Sequence, residues 1–302
     1  LDLSRFDTSK VTSMSSMFRG CESLTTIYCN SSWSAGHSDD MFSDCNSLRA
    51  ATTDVGNSYD VSMANPQTGY FTKNVLPQED EAYVHLSADK KTLTFYFDRE
   101  RNVRRCCAWP PGEVASKEEI TQIVIDESYR NVVPKTTASW FEGFSAVTEI
   151  RGLDNLNTSE VTDMSRMFAG CSALRSLDVS RFDTSQVTGM SSMFSGCASL
   201  TELDLYFFDT AKVTDMHAMF SGCATLSALN LAHFDTAKVT NMGEMFADCS
   251  ALVDLDISRF DTAQVKDMHA MFSGCATLSA LNLAHFDTAQ VTDMHAMFKD
   301  CK

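Results

Sequence analysis

The sequence predicts an α/β repeat solenoid, and three observations carry that prediction. The motif Phe-Asp-Thr recurs with its phenylalanines at Phe182, Phe208, Phe234, Phe260 and Phe286, a constant 26 residues apart, and Leu156 holds the same place one period earlier. Met-Phe pairs keep the step at Phe168, Phe194, Phe220, Phe246, Phe272 and Phe298, and so do Cys171, Cys197, Cys223, Cys249, Cys275 and Cys301. Finally, the 23 residues DMHAMFSGCATLSALNLAHFDTA occur twice without change, at 215–237 and 267–289, two periods apart. Such a period marks units that stack only on their neighbours, so the array can lengthen by whole units without rebuilding its core.

One unit shows what each part is expected to form. In FDTSQVTGMSSMFSGCASLTELDL, Val187, Met190 and Phe194 follow the spacing i, i+3, i+7, a one-sided stripe that fits a short helix or turn. Thr184 or Thr188 is placed to N-cap it, and Gly196 sits where a left-handed C-cap is wanted. Leu203 and Leu205 then alternate with Glu202 and Asp204, the period of a strand. Each unit thus reads as a short helix or turn followed by a short parallel strand. About nine side chains per unit point inward: one Val, two Met, two Phe, one Cys and three aliphatics. Methionine suits such columns because its flexible thioether fills irregular gaps.

Along the chain the units form two arrays. Residues 1–72 read as the C-terminal end and cap of a first array. LDLSRFDTSKVTSMSSMFRGCESL is a regular unit; its successor keeps Met41, Phe42, Cys45 and Leu48 but shortens the step to 24, from Phe18 to Phe42. The polar stretch that follows is expected to close the core against water. Residues 73–80 read as a linker, and residues 81–150 as a β-rich N-terminal cap of the second array. The cap comprises a hairpin around Ala88–Lys91, a strand within EEITQIVIDESY, and a degenerate unit with Trp140 in a Met position and Phe144 in the Cys position. Residues 151–302 read as the second array of about six units, truncated. The chain opens and closes inside units and is expected to be a fragment, so the lack of a signal peptide carries no message about compartment.

The consensus FDTSxVTxMSxMFxGCxxLxxLDL resembles the repeat of BspA-type leucine-rich-repeat surface proteins, also found in mycoplasma lipoproteins. The stretches LTTIYCNSSWSAGHSDDMFSDCNSL…GYFT and LSADKKTLTFYFD…WF resemble the array ends of that family. The resemblance spans nearly the whole chain. It implies a leucine-rich-repeat-like solenoid, export to the bacterial cell surface, and adhesion to host or neighbouring-cell surface or matrix proteins or glycans. The sequence departs from the consensus where SALNLAHF puts Ala and Asn into strand columns, and no anchor or sorting signal is visible in it.

Bulk properties narrow the function further. The net charge is −16 and the isoelectric point is near 4.7, which argues against nucleic acid, whose recognition needs a basic footprint. At 44% hydrophobic and 21% charged residues, the composition is that of an ordinary globular protein. No apolar run reaches the ~18 residues of a membrane span. Nucleophile elbows, phosphate loops and His-Glu-x-x-His helices are missing, so the chain is expected to be non-enzymatic and to use no cofactor.

Four sets of residues could carry function. The cysteine column reads as a stack of buried thiols, because parallel Cβ vectors fit a disulfide poorly and no zinc spacing occurs. Cys106 and Cys107, adjacent in the cap, are expected to be the exposed thiols. The column Asp183, Asp209, Asp235, Asp261 and Asp287 reads as turn carboxylates accepting backbone N–H groups, since nothing matches the spaced loops of calcium solenoids. His217, His269 and His295 share a column interrupted at Gly243, and His233 and His285 share another; both read as solvated faces and not as a continuous metal stripe. The remaining surface is the exposed strand face, where Asp178, Glu202, Asp204, Asn230, Asp254, Asp256 and Asn282 point outward, together with Ser176, Tyr206, Phe207 and Arg259. In leucine-rich-repeat-like folds the exposed sheet is the usual binding face, as the resemblance implies, and exposed aromatics such as Tyr206 and Phe207 serve as anchors. The second reading of the chain is a structural spacer with no ligand of its own.

Deleting residues 215–266, two whole periods, is expected to leave a folded protein with a cooperative melt. Deleting half a period should abolish that cooperativity around the cut, by circular dichroism and urea unfolding, because neighbouring units would meet out of register.

Overall fold

The computed structural model describes residues 1–4, 6–51, 58–73, 80–104 and 116–301. The chain forms two compact units, Leu1–Glu79 with Arg99–Arg105, and Asp80–Asp98 with Cys106–Lys302. The adjacent pair Cys106 and Cys107 lies outside the described residues.

The first unit is closed by a parallel pair. Strand β1 (Ile27–Tyr28) pairs with β2 (Phe71–Thr72) in the register Ile27↔Phe71, over a core that includes Met14, Phe18, Trp33, Met41, Phe42 and Met63. Phe18 and Phe42 stack with centroids 5.2 Å apart, so the shortened step noted in the sequence still keeps one Phe above the next. Residues 61–63 form a 3-10 turn whose entry is fixed by Asp60 Oδ1, which accepts the Ser62 N–H at 2.8 Å. The Asn65 side chain accepts the N–H groups of Gln67, Thr68 and Gly69. The polar residues after the second repeat thus tie off their own backbone.

The second unit opens with a four-stranded sheet in the order β3-β4-β5-β6. Strands β3 (Glu81–Leu86) and β4 (Thr92–Asp98) form the hairpin seen in the sequence, antiparallel from Glu81↔Asp98 to Leu86↔Leu93. Strands β5 (Gln122–Ile125) and β6 (Glu149–Arg151) follow in parallel. Val84, Leu93, Phe95, Ile123, Ile125, Tyr129, Trp140, Phe141 and Phe144 fill the space behind them. Phe141 stacks on Phe168 at 5.3 Å, which joins the cap core to the first regular rung.

Within the array the helix alternative fails. No helix occurs among residues 156–301; the segment with helical spacing is a coil of tight turns. Ser192 (φ 55°) and Gly196 (φ 72°) are left-handed, and the position of Ser192 is left-handed in every rung from Arg166 to Ala296. Odd residues make local i→i−3 bonds, as from Met193 to Met190 (3.3 Å) and from Cys197 to Phe194 (3.1 Å). Even residues donate to the next rung: Met190 to Asp215 O (3.2 Å), Ser192 to His217 O (2.7 Å), Phe194 to Met219 O (2.9 Å) and Gly196 to Ser221 O (2.7 Å). An α-helix would turn every N–H along its own axis and leave the neighbouring rung without donors. The left-handed residues, costing ~1–2 kcal/mol each where not glycine, aim alternate N–H groups at the neighbouring rung instead. Asp248 (φ 56°) and Asp300 (φ 58°) replace glycine at this site in two rungs, as their short polar side chains allow.

The expected strand is also shorter than its pattern suggests. The array shows the bridge Ser176↔Glu202 and the two-residue strands β7 (Ala228–Leu229) and β8 (Asp254–Leu255), which pair in parallel. A second line of parallel bridges runs from Thr136 through Asp163, Gly189, Asp215, Asn241 and Asp267 to Asp293.

The nine inward columns are as expected: Val187, Met190, Met193, Phe194, Cys197, Leu200, Leu203, Leu205 and Phe208 are all buried. The phenylalanine column from Phe168 to Phe272 stacks nearly coplanar, with centroids 5.7–5.8 Å apart. A tenth column is polar. Thr158, Thr184, Thr210, Thr236 and Thr262 are buried, and they cap no helix. The Thr184 hydroxyl accepts the Asp209 N–H at 2.7 Å and donates to the Asp209 carbonyl at 2.9 Å, and Thr210 does the same with Asp235. One hydroxyl thus satisfies both backbone groups of the next rung inside the core, where an orphaned group costs ~1–3 kcal/mol. Thr210→Val, which keeps the shape and removes the hydroxyl, is expected to destabilise the array by about 2 kcal/mol, and Thr210→Ser by less than about 1 kcal/mol, read from urea unfolding midpoints.

Candidate functional site

All ten residues picked for the strand face are exposed: Asp178, Glu202, Asp204, Tyr206, Phe207, Asn230, Asp254, Asp256, Arg259 and Asn282. Two columns organise them. Asp178, Asp204, Asn230, Asp256 and Asn282 hold one place in successive rungs, and each side chain accepts the N–H two residues on, at 2.9–3.1 Å. Their side chains are therefore fixed in direction by the turn they make, with one carboxylate or amide edge left toward solvent. The other column reads Ser176, Glu202, Ala228, Asp254, Ala280. Where Ala228 falls between Glu202 and Asp254 the face dips. A groove of about 510 Å³ crosses three rungs there, lined by Thr201, Glu202, Asp204, Asn230, Asp254 and Asp256 with the apolar floor of Leu203, Ala228 and Leu229. Four carboxylates and no cation line it. The alanine that departs from the consensus is what opens this groove.

Beside it lies an aromatic step. Tyr206 (51% exposed) and Phe207 (63% exposed) meet edge to face at 5.1 Å, and Tyr206 meets His233 at 4.4 Å. Phe207, His233 and Arg259 occupy one column on successive rungs, and a second hollow is lined by His233, Asp235 and Arg259. The structure therefore sets the aromatic pair and Arg259 on one edge of the array and the carboxylates next to them.

The other columns have definite tasks. Each thiol of the cysteine column donates to the Phe carbonyl of the preceding rung: Cys171 to Phe141 (3.1 Å), Cys197 to Phe168 (3.3 Å), Cys223 to Phe194 (3.3 Å), Cys249 to Phe220 (3.1 Å) and Cys275 to Phe246 (3.1 Å). Burial pushes the Cys171 and Cys275 thiols up to about 12 and the thiols between them higher, so none is a nucleophile. Among the described residues the exposed cysteine is Cys21. The column Asp183, Asp209, Asp235, Asp261 and Asp287 accepts the N–H two residues on, at 2.9–3.0 Å. Sequence reasoning separated His217 from His269 at Gly243; in the structure their rings meet across it, 5.7 Å apart.

Comparison with known proteins follows this geometry. Residues 1–80, 136–251 and 224–302 match the family described as "Mycoplasma protein of unknown function, DUF285". The chain belongs to the DUF285 family. The BspA-type repeat read from the sequence agrees with that membership. Similar solved structures, at low overlap, are a leucine-rich repeat protein from Eubacterium ventriosum (15% identity, 96% of this chain and 80% of that one, TM-score 0.42) and the T. pallidum leucine rich repeat protein (17% identity, 65% and 87%, TM-score 0.32). A leucine rich cell surface protein from Faecalibacterium prausnitzii shares 17% identity over 66% of this chain and 54% of that one, with a TM-score of 0.30. No curated protein matches. Among the described residues of this DUF285 protein, no helix is long and apolar enough to cross a membrane.

Three of the turn carboxylates are expected to make the array acid-sensitive. Asp178, Asp183 and Asp256 are held below the ordinary carboxylate range, first by the hydroxyl of the serine two residues on and then by its N–H. A depressed folded value gives stability that is present above the unfolded value, about 3.9, and lost as pH falls through the lower folded one. The melting temperature is expected to be flat down to about pH 5 and to drop below about pH 4. Replacing all three by Asn, which can still accept the N–H, should flatten that acid limb in a pH series of thermal melts.

Proposed function

We propose that this protein works on the bacterial cell surface as a non-enzymatic binding module, presenting its exposed sheet to host or neighbouring-cell surface or matrix proteins or glycans. The observation that carries this reading is the acidic three-rung groove bounded by Glu202, Asp204, Asp254 and Asp256, with the exposed pair Tyr206 and Phe207 at its side. A solvated carboxylate surface attracts basic partners over about a Debye length, ~8–10 Å at moderate salt. Exposed aromatics then supply desolvated contact area. Asp178, Asn230, Arg259 and Asn282 extend the same face to either side.

A structural spacer is the second reading, and the duplication favours it. The two copies of DMHAMFSGCATLSALNLAHFDTA repeat the same outward residues, which adds length without adding a new surface. Immobilised matrix proteins, mucin and whole cells, probed with the purified chain and with a Tyr206→Ala, Phe207→Ala variant, separate the two. Saturable binding weakened about tenfold by the double substitution is the expected result. The absence of binding across the panel would leave the spacer.

A further inference from the structure

The turn side of the rungs, away from the strand columns, holds one histidine between two carboxylates. His269 Nδ1 is 2.8 Å from Asp267 Oδ1 on its own rung, and His269 Nε2 is 3.1 Å from Glu244 Oε1 on the rung before. Asp267 is fixed in direction, because its Oδ1 also accepts the backbone N–H of His269 at 2.9 Å. The other titratable groups around the ring come from the rungs on either side. Asp293, on the next rung, brings a carboxylate oxygen within 4.8 Å of the imidazole, and His295 follows it in the same column. The His217 ring, from two rungs before, stacks at 5.7 Å.

We propose that His269 is a pH-gated clamp between two rungs: charged, it binds Asp267 and Glu244 together and holds their joint closed; neutral, it releases one of them and the joint loosens. The geometry carries this reading. An ionised carboxylate only accepts hydrogen bonds, and a neutral imidazole has one N–H to give. With a carboxylate at each nitrogen, the neutral ring would leave a lone pair against a negative oxygen. The imidazolium donates at both ends. In agreement, the hydrogen bond to Asp267, joined by the one to Glu244 and opposed by burial, holds the His269 pKa above its ordinary value. A raised folded value gives stability that is fully present below the unfolded value, about 6.5, and lost as pH rises through the folded one. The joint is therefore firmer at mildly acid pH than at alkaline pH.

Gly243 and Glu244 confine the clamp to this joint. A Cβ at Gly243 would sit 2.5 Å from His269 Nδ1 and 2.7 Å from its Cε1, so a side chain there would push the ring off Asp267. The stretch DMHAMF occurs at 215–220, 267–272 and 293–298, but the rungs before His217 and His295 carry Ser192 and Ala270 where Glu244 stands. One local sequence thus forms the clamp at His269 and not at its copies, because the second carboxylate comes from the neighbouring rung. The rung of Glu244 also carries Asp254 and Asp256 on its strand side, so the clamp seats the last acidic rung of the groove on its neighbour.

Imidazole titration by NMR and amide exchange, both on the full chain, test the clamp locally, since one joint among many shifts the melt of the whole array little. The His269 midpoint is expected above about 6.5 and should fall in Glu244→Gln, which keeps the shape and removes the charge. At the joint, the Glu244 N–H donates to His269 O and the Phe246 N–H to Met271 O. Their protection, relative to the intrinsic exchange rate at each pH, should drop about threefold between about pH 5.5 and about pH 8.5, the size of a partly exposed ion pair. The equivalent N–H groups of Ser192 and Phe194, which donate to His217 O and Met219 O, should show no such drop. In Glu244→Gln and His269→Gln the drop at Phe246 should vanish, with circular dichroism establishing that each variant is folded. A His269 midpoint at or below about 6.5, protection at Glu244 and Phe246 that follows Ser192 and Phe194 at every pH, or a drop that persists in the folded variants would each overturn the proposal.

Discussion

Everything in the array rests on how its backbone divides its N–H groups. In each rung from Met190 to Gly196 alternate donors go to the neighbouring rung and the others stay local. That division sets the stack, since a rung that spent all its donors on itself would meet its neighbour only through side chains. The left-handed residues at the positions of Ser192 and Gly196 are what enforce it. Once rungs are locked in this register, identical residues must lie above one another, and the sequence columns become physical columns: Phe on Phe, Cys under a Phe carbonyl, Thr between two peptide groups.

How much of this could be read beforehand depends on whether a residue's task shows in its polarity. The nine apolar inward columns were legible because burial demands apolar side chains at a fixed period. The helix alternative was not separable from a turn, because Met190, Met193, Phe194 and Cys197 face one side in either. What distinguishes the two is the sign of φ at Ser192, an ordinary L-residue that gives no signal in composition. The threonine column was hidden for the opposite reason. A hydroxyl beside an aspartate reads as a cap, and its burial follows only when the next rung is in place to bond it.

The strand face was legible as a set of outward positions but not as a shape. Alternation names Glu202, Asp204, Asp254 and Asp256 as outward; the groove between them comes from Ala228, a residue with almost nothing to show. Gly243 is similar. In the sequence it reads as a gap in a histidine column, yet in three dimensions a missing side chain is room for its neighbours. Repeat proteins make such absences informative, because every vacancy is bordered by known residues one period up and down.

The cysteine column has a consequence of a different kind. Each thiol is sealed under the carbonyl of the rung before it, so it meets solvent only when that particular rung parts from its neighbour. The rate at which a thiol reagent reaches a given cysteine therefore measures the opening of one identified joint, in the manner of amide exchange. With a thiol in every rung, the array carries its own ruler of local breathing, and fraying from an end can be followed joint by joint without adding a single label.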